Sequence, residues 1–396
     1  MKRRNFVIGA GLLTGASWLS LGRPAVAASD DATREIRLAS SVAAKRESAA
    51  RIIDVHHHLL PPSLEASWPN DYAGQSLTKW SEAHSLAMMD QRNIHTAILS
   101  LPAPGVWRGE SRAATQLARR ANEYSAELEQ RYPGRYGSFA SVPLPATGQA
   151  CAEAVYALDT LKADGVMLLA SNDGKFLGDP QFDELMAELD SRQATVFVQP
   201  NLQPNNELLA LEAPGVMLEF ACDVSRAAVN LILSGTMERY PRIRWILANG
   251  GGFLPYAAWR ISLANALPEF QEKAPLGVMT YLRRFYFDTT LAAGAPTMAV
   301  LKELVDPSQV LFGSGFLAVP EEVMRQELEA LATSSIWSKA EYSAITRGNS
   351  LRLFSRHALS DEAVVAAPVY EPESTLQWLA RTATKPLSAA AQRLKD

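Results

Sequence analysis

Short apolar runs alternate along most of the chain with longer segments in which apolar residues recur every three or four positions. The runs are rich in Val, Ile, Leu and Phe, and the alternation begins near Arg51. Strands that alternate with helical segments are typical of successive βα units and predict a parallel sheet. The candidate strands are residues 51–57, 96–102, 136–144, 165–171, 195–200, 242–250, 284–290 and 309–315.

A segment with helical spacing follows every candidate strand. These segments are residues 81–93, 113–132, 151–163, 182–193, 226–240, 255–267, 296–305 and 321–332. Eight strands that each lead into a helix predict an α/β fold, a TIM-type (β/α)8 barrel that residues 51–357 form as a single main domain. The active site of such a barrel lies where the strands end at their C-termini, so the residues that close the strands are the candidates for chemistry.

The N-terminal region has the pattern of an export signal. Lys2-Arg3-Arg4-Asn5-Phe6 precedes a short apolar run, and Ala25-Val26-Ala27 supplies the small residues that a signal peptidase requires. The paired arginines are similar to the twin-arginine signal. We therefore predict a signal peptide at residues 1–27 and a periplasmic or secreted protein. A membrane anchor is the alternative, which the short, Gly- and Ser-containing run disfavours.

Two further segments flank the predicted barrel. Residues 28–50 are polar and Ala-rich and are predicted to be a linker, and residues 358–396 are predicted to be a C-terminal appendage. No stable membrane insertion is expected once the signal is removed.

Composition narrows the classes of partner. The 396 residues carry a formal net charge of −4, and no block of Lys and Arg is interleaved with aromatic residues. Nucleic acid is therefore not an expected partner. Cys151 and Cys222 are the only cysteines. Two buried free thiols are the preferred interpretation, and a disulfide is the alternative that an oxidising compartment would permit.

Three consecutive histidines close the first candidate strand. Because side chains alternate along a strand, His56 and His58 point to the same face and His57 to the other. At the C-terminal end of a first barrel strand that face is the mouth of the barrel. A His-x-His pair there suits zinc or iron, because neutral imidazole binds such metals and the strand fixes both rings.

Several motifs, in order, resemble one protein family. "IDVHHHLLPP" at residues 53–62, "NGGGFLPYAAWRI" at 249–261, "FYFDTT" at 285–290 and "VLFGSG" at 310–315 are similar to the amidohydrolase superfamily. The branch they resemble is that of aminocarboxymuconate-semialdehyde decarboxylase, and the resemblance covers residues 51 to 357.

The resemblance implies a divalent metal, usually zinc, and a set of ligands. That family holds the metal with the first-strand His-x-His, a His that ends strand five and an Asp that ends strand eight, and a His that ends strand six handles protons. At the last three positions this chain has Gln199, Asn249 and Gly315. Amides are weak zinc ligands and glycine offers none. We therefore expect no cofactor, with a weakly held divalent metal such as zinc at His56 and His58 as the alternative.

Other positions matched by the resemblance complete the candidate site. Asp288 is expected to orient a neighbour as a hydrogen-bond acceptor. Arg260 is expected either to meet a substrate carboxylate, in some relatives across a dimer interface, or to form a structural ion pair. A homodimer is accordingly a candidate assembly. Glu219, Cys222 and Asp223 fall in a predicted loop over the mouth, from which one of them could replace a lost ligand.

Three functions remain open from the sequence. The first is an exported barrel that binds a small, cyclic or aromatic organic acid, with the family's zinc chemistry lost or remodelled. The second is a metal-independent hydrolase or lyase that uses His56 or His58 as base and Gln199 and Asn249 as oxyanion donors. The third is a metal-dependent decarboxylase or hydrolase of the family type with an incomplete metal site.

Overall fold

The computed structural model describes residues 51–69, 71–72, 75–76, 80–202 and 214–372. The predicted signal peptide and linker lie outside the described residues, as does the appendage beyond residue 372. The described part of that appendage contacts the barrel, since Ala367 N donates to Arg352 O at 2.9 Å and Arg347 Nη2 lies 2.5 Å from Glu362 Oε2.

Eight parallel strands form one sheet in which each strand pairs with its neighbour in the chain. The strands are β1 (Ile52–His58), β2 (Ile94–Ser100), β3 (Tyr136–Ser141), β4 (Gly165–Leu169), β5 (Thr195–Gln199), β6 (Arg244–Leu247), β7 (Tyr286–Asp288) and β8 (Val310–Leu311). The sheet closes because Val55 N donates to Phe312 O at 2.9 Å and His58 N donates to Phe316 O at 3.1 Å. The prediction of a TIM-type barrel is confirmed.

Helices surround the sheet. They are α1 (Glu82–Gln91), α2 (Ser111–Arg131), α3 (Thr147–Val155), α4 (Asp183–Ser191), α5 (Gly215–Leu233), α6 (Thr236–Arg239), α7 (Leu254–Ser262), α8 (Pro268–Gln271), α9 (Val278–Leu282), α10 (Ala295–Leu304), α11 (Glu321–Thr333), α12 (Lys339–Ser343) and α13 (Asn349–Leu353). Side chains at several helix N-termini accept hydrogen bonds from the free amides of the first turn. Glu110, for example, accepts from Arg112 N and Ala113 N. None of the helices within the described residues is both long and apolar enough to cross a membrane.

Most strands are shorter than predicted or are shifted by a few residues, and two differences in boundary affect the candidate site residues. The sixth strand ends at Leu247, not at residue 250, because Asn249 and the three glycines after it adopt left-handed backbone conformations that a strand cannot accommodate. The fifth helix begins at Gly215, so Glu219, Cys222 and Asp223 lie on α5 and not in the predicted loop. Apolar residues before the predicted start, such as Phe220 and Val224, are buried and extend the helix's core-facing side.

Candidate functional site

Two imidazoles form the floor of a small cup at the C-terminal mouth of the barrel. His56 and His58 are both 4% exposed, and their Nε2 atoms lie 3.1 Å apart. Burial, together with the neighbouring His56 ring, holds the pKa of His58 well below its usual value. The His58 ring is therefore neutral near pH 7 and presents a lone pair.

Asp288 fixes the orientation of His56. The Nδ1 of His56 lies 2.6 Å from Asp288 Oδ2, and the other oxygen of this carboxylate accepts from Asn249 N at 2.7 Å and Thr290 N at 3.1 Å. A carboxylate only accepts hydrogen bonds, so Nδ1 of His56 donates to Asp288, and Nε2 is the nitrogen that lies next to the His58 ring. The orienting role expected of Asp288 agrees with this geometry.

His57 lies on the opposite face of β1, as its position in the strand predicts. Its Nδ1 lies 3.0 Å from Asp54 Oδ2 and its Nε2 lies 2.9 Å from Ser85 Oγ. Asp54 also accepts from Ser314 N at 2.9 Å and Ser314 Oγ at 2.6 Å. These buried hydrogen bonds connect β1 to the segment after β8 and so help to position His56 and His58 in the cup.

Two amides complete the polar lining of the cup. Gln199 ends β5 and donates through Nε2 to Ser100 Oγ at 2.7 Å. Asn249 follows β6, and its Oδ1 is buried without a hydrogen-bond partner among the described residues. An unpaired buried amide oxygen is costly, which indicates a site for a donor or a cation. The Ser100 contact was missed by the sequence analysis, although Ser100 also closes a barrel strand.

The cup has a free volume of about 20 Å³ and brings together most of the predicted site residues. It is lined by His56, His58, Pro102, Ala103, Gln199, Pro200, Phe220, Asn249, Thr290, Leu291, Gly315, Ala318 and Val319. Apart from the two histidines, none of these residues has an acidic or basic side chain. The roles predicted for them remain predictions.

At Gly315 the backbone is left-handed, with φ at +68°. A Cβ at this position would lie 2.5 Å from Val319 Cγ2 and 2.7 Å from Thr290 Cγ2. Methyl groups of Val319 and Thr290 therefore occupy the space that the first carbon of any side chain at this position would need.

The structure does not bring the other candidates into the cup. Arg260 is exposed on α7, and none of the described residues forms an ion pair with it. Glu219 and Cys222 are partly buried on α5, and Asp223 accepts from Ser171 Oγ at 3.1 Å and from Asn201 N at 2.9 Å. Cys151 and Cys222 are both free thiols.

A (β/α)8 barrel with paired histidines at the end of its first strand belongs to the class of barrel enzymes whose site is built at the strand ends. The amidohydrolase family model matches residues 53–356, and the chain belongs to that family. The 6-methylsalicylic acid decarboxylase of Penicillium expansum is 33% identical over 315 residues, which cover 77% of this chain and 96% of that protein. The structure of a 2,6-dihydroxybenzoate decarboxylase complexed with 2,6-dihydroxybenzoate aligns with a TM-score of 0.66 at 25% identity, covering 77% of this chain and 99% of that chain. The predicted family is confirmed.

The expectation of no cofactor is wrong. The dihydroxybenzoic acid decarboxylase of Polaromonas sp. JS666 was crystallised with bound manganese, and it aligns with a TM-score of 0.67 at 22% identity over 78% of this chain and 98% of that chain. The expectation was based on the loss of the His and Asp ligands at positions 199, 249 and 315. It did not consider that amide oxygens and water can also bind a harder ion such as manganese.

The described residues of the cup fit a divalent cation that is held weakly. Two nitrogens that are each ~2.1 Å from one ion lie roughly 3.0–3.4 Å apart at ordinary coordination angles, and the two Nε2 atoms are 3.1 Å apart. Two ring nitrogens this close cannot point lone pairs at each other, so a proton or a cation must lie between the rings. No group of three His, Cys, Asp or Glu side chains suited to a metal occurs within the described ranges, so amide oxygen or water would supply the remaining ligands.

Proposed function

We propose that this chain decarboxylates a small hydroxybenzoic acid whose carboxyl group enters the cup. The observation that carries the proposal is the pair of buried imidazoles braced by Asp288 at the barrel mouth. The comparisons support this proposal, because the relatives that align with most of this chain include decarboxylases of 6-methylsalicylic acid and 2,6-dihydroxybenzoate.

His56 and His58 would hold the divalent metal through their Nε2 atoms, with the amide oxygen of Asn249 close by. When bound, such an ion neutralises the carboxylate and phenolate oxygens of the substrate as a Lewis acid. Asn249 Oδ1, which lacks a partner among the described residues, would supply a further oxygen donor to the ion. Gln199 is held in place by Ser100 and lines the opposite wall.

The reaction breaks the bond between the ring and the carboxyl carbon, and the electron pair stays on the ring carbon, which gains a proton while carbon dioxide leaves. Asn249 has no titrating proton and cannot donate one. Both imidazoles would be engaged with the ion, so the proton would come from a water molecule. The apolar residues around the cup, including Phe220, Ala318 and Val319, exclude bulk water.

The test is turnover by the purified full-length chain. With manganese chloride and 2-hydroxy-6-methylbenzoate we expect 3-methylphenol and carbon dioxide, measured by chromatography and a coupled carbon dioxide assay. The His58→Ala variant should fall to background, whereas His95→Ala should keep the activity because His95 lies near the start of β2, outside the cup. Absence of product in the wild type with both this acid and 2,6-dihydroxybenzoate would overturn the proposal.

We also propose that the protein acts outside the cytoplasm. The support is the sequence pattern alone, the paired Arg3-Arg4 before an apolar run and the small residues at 25–27. Cell fractionation should find the wild type in the periplasm or medium and the Arg3→Lys, Arg4→Lys double variant in the cytoplasm. Equal distribution of the two would contradict export by the twin-arginine route.

A further inference from the structure

The cup is too small for the whole of an aromatic acid. Its free volume is about 20 Å³, which is room for little more than one water-sized group, whereas a cavity that takes benzene measures about 150 Å³. A carboxyl group fits the cup and a ring does not. The ring of any aromatic acid that presents its carboxyl group to His56 and His58 must therefore lie in a neighbouring space.

A large apolar cavity adjoins the cup. Its volume is about 610 Å³, and it shares Leu291, Ala318 and Val319 with the cup. Among the described residues of its lining, the polar side chains are those of His84 and Glu321; the others are Pro214, Val216, Met217, Leu291, Phe316, Leu317, Ala318, Val319, Pro320, Val323 and Met324. Its volume is about four times the 150 Å³ that suffices for benzene, so a ring alone would leave most of it unfilled.

The walls of this cavity include two leucines with unfavourable backbone conformations. Leu291 has φ at +53° and Leu317 has φ at +77°. The other described non-glycine residues with positive φ are Asn93, Lys162, Asp173, Gln193 and Asn249, none of which is apolar. Left-handed backbone at a leucine is uncommon and persists only where the surroundings hold it, which is most often at functional sites.

Hydrogen bonds hold both leucine segments in place. Leu291 N donates to Glu327 Oε2 at 2.5 Å, and Ala293 N donates to the same carboxyl group. Beyond Leu317, Ala318 N and Val319 N both donate to Gly315 O, at 3.1 Å and 2.9 Å. The loops after β7 and β8 therefore maintain the shape of the cavity, even though the left-handed backbone at Leu291 and Leu317 is energetically unfavourable.

A second cavity of about 560 Å³ shares Val216, Met217 and Leu291 with the first. Its lining carries the polar groups of Asn249, Tyr256 and Thr297, and Phe253 and Tyr256 at its rim are exposed. The first cavity suits an apolar group better.

We propose that the substrate is a hydroxybenzoic acid bearing an alkyl chain of several carbons, and that the 610 Å³ cavity binds its ring and chain while the cup binds its carboxyl group. The proposal rests on the decarboxylase function for the identity of the acid. The apolar lining of the cavity, in contact with the cup, supplies the specificity for the chain.

The test measures binding by the full-length protein with isothermal titration calorimetry. Affinity should rise from 2-hydroxybenzoate through 2-hydroxy-6-methylbenzoate to 2-hydroxy-6-pentylbenzoate, by up to roughly fourfold for each methylene that is fully buried. Pentylbenzene, which has no acid group, should raise the melting temperature of the wild type. This second probe requires neither a metal nor turnover.

Two valine variants locate the effect. Val323→Trp places an indole ring in the 610 Å³ cavity without touching the cup, and it should reduce both the chain-length gain and the stabilisation by pentylbenzene. Val300→Trp places the same ring in the other cavity and should leave both unchanged. If Val323→Trp fails to fold, the chain-length series in the wild type still decides the matter.

Each outcome separates this proposal from the decarboxylase function. Equal affinities along the series would overturn the cavity proposal even if the methyl acid is turned over. Loss of the gain in Val300→Trp and not in Val323→Trp would overturn it as well. A chain-length gain that Val323→Trp reduces, without turnover of any acid, would support the cavity and contradict the decarboxylase function.

Discussion

At the scale of single residues, the chemistry of the cup depends on which atom of each imidazole carries the proton. Asp288 Oδ2 accepts a hydrogen bond from Nδ1 of His56 at 2.6 Å, and burial keeps His58 neutral by lowering its pKa. The two Nε2 atoms are then the ring nitrogens that a cation at the mouth of the barrel can reach. The sequence indicated that these residues share a face, but the direction of the lone pairs depends on contacts across 232 positions of the chain.

Replacement of Asp288 by Asn should weaken metal binding by about 10- to 100-fold, since outer partners of a ligating histidine contribute that much. The Asn side chain would keep an oxygen for Asn249 N and Thr290 N. Its amide nitrogen would face His56 Nδ1 and force the proton onto Nε2, where it would block the metal. Calorimetric titration with manganese chloride measures the change. His95→Ala is the control, and equal affinities for the wild type and Asp288→Asn would contradict the bracing role.

Gly315→Ala should destabilise the protein more than Gly109→Ala. Both glycines have positive φ, +68° and +85°, so both variants incur the same kind of backbone strain. Only at Gly315 would the new Cβ clash, 2.5 Å from Val319 Cγ2, whereas nothing lies within 4 Å at Gly109. The extra loss should be about 1–3 kcal/mol, typical of overpacking.

Denaturant unfolding measures both glycine variants, and Val319→Ala should recover part of the loss at Gly315. Equal losses at the two glycines would show that the space beside Gly315 is not filled as the structure shows. The same clash implies that restoring Asp at this position requires Val319→Ala as well.

At the scale of elements, most of the architecture could be predicted from the sequence because strand and helix periods are local properties. All eight strands and the helices between them follow the apolar pattern. The early end of β6 and the early start of α5 could not be read from that pattern. The first depends on successive left-handed residues after Leu247, and the second on the packing of Phe220 against the barrel.

That the cup residues lie together was also predictable from the sequence. Strand ends meet at one mouth of a barrel, and the residues at or shortly after those ends include His56, His58, Gln199, Asn249 and Gly315. Arg260 does not lie there, because α7 carries it to the surface. The 610 Å³ cavity was not predictable, since it is formed by loops whose leucines give no sequence signal for left-handed backbone.

Glu327 on α11 couples the stability of the loop after β7 to pH. Burial, with a smaller contribution from the charge of Asp288, raises the pKa of Glu327 to about 7, even though the hydrogen bonds from Leu291 N and Ala293 N act to lower it. The folded state thus binds the proton more tightly than the unfolded state, whose glutamate has a pKa of about 4.3. The resulting stabilisation is complete below pH 4 and is lost as pH rises to about 7.

The variant Glu327→Gln removes this titration. The melting temperature of the variant minus that of the wild type should therefore be larger at pH 8 than at pH 5. The corresponding difference in unfolding free energy between the two proteins should change by on the order of 1–3 kcal/mol between the two pH values. Thermal unfolding at the two pH values measures it. Glu329→Gln, an exposed neighbour on the same helix, is the control. A constant difference between wild type and Glu327→Gln would contradict the coupling.

At the scale of the whole molecule, one face of the barrel exposes several large apolar side chains to solvent. Phe253, Tyr256, Trp259, Leu263 and Leu267 run along and beyond α7 and are 43%, 86%, 74%, 56% and 50% exposed. Contiguous exposed apolar surface of this kind marks an interaction site in soluble proteins. Arg260 lies among these side chains, exposed and without an ion pair in the described parts of the chain.

A second copy of the chain is the occupant we expect for this face, since two identical apolar helices can pack on each other about a two-fold axis and bury both at once. The wild type should sediment as a dimer. Trp259→Glu should shift it toward a monomer, because each dimer would bury two unpaired carboxylates at the centre of the contact. Val365→Glu is the matched control, since Val365 is 75% exposed but lies away from α7 in the chain. A monomeric wild type, or equal sedimentation of the two variants with the dimer retained, would contradict this assembly.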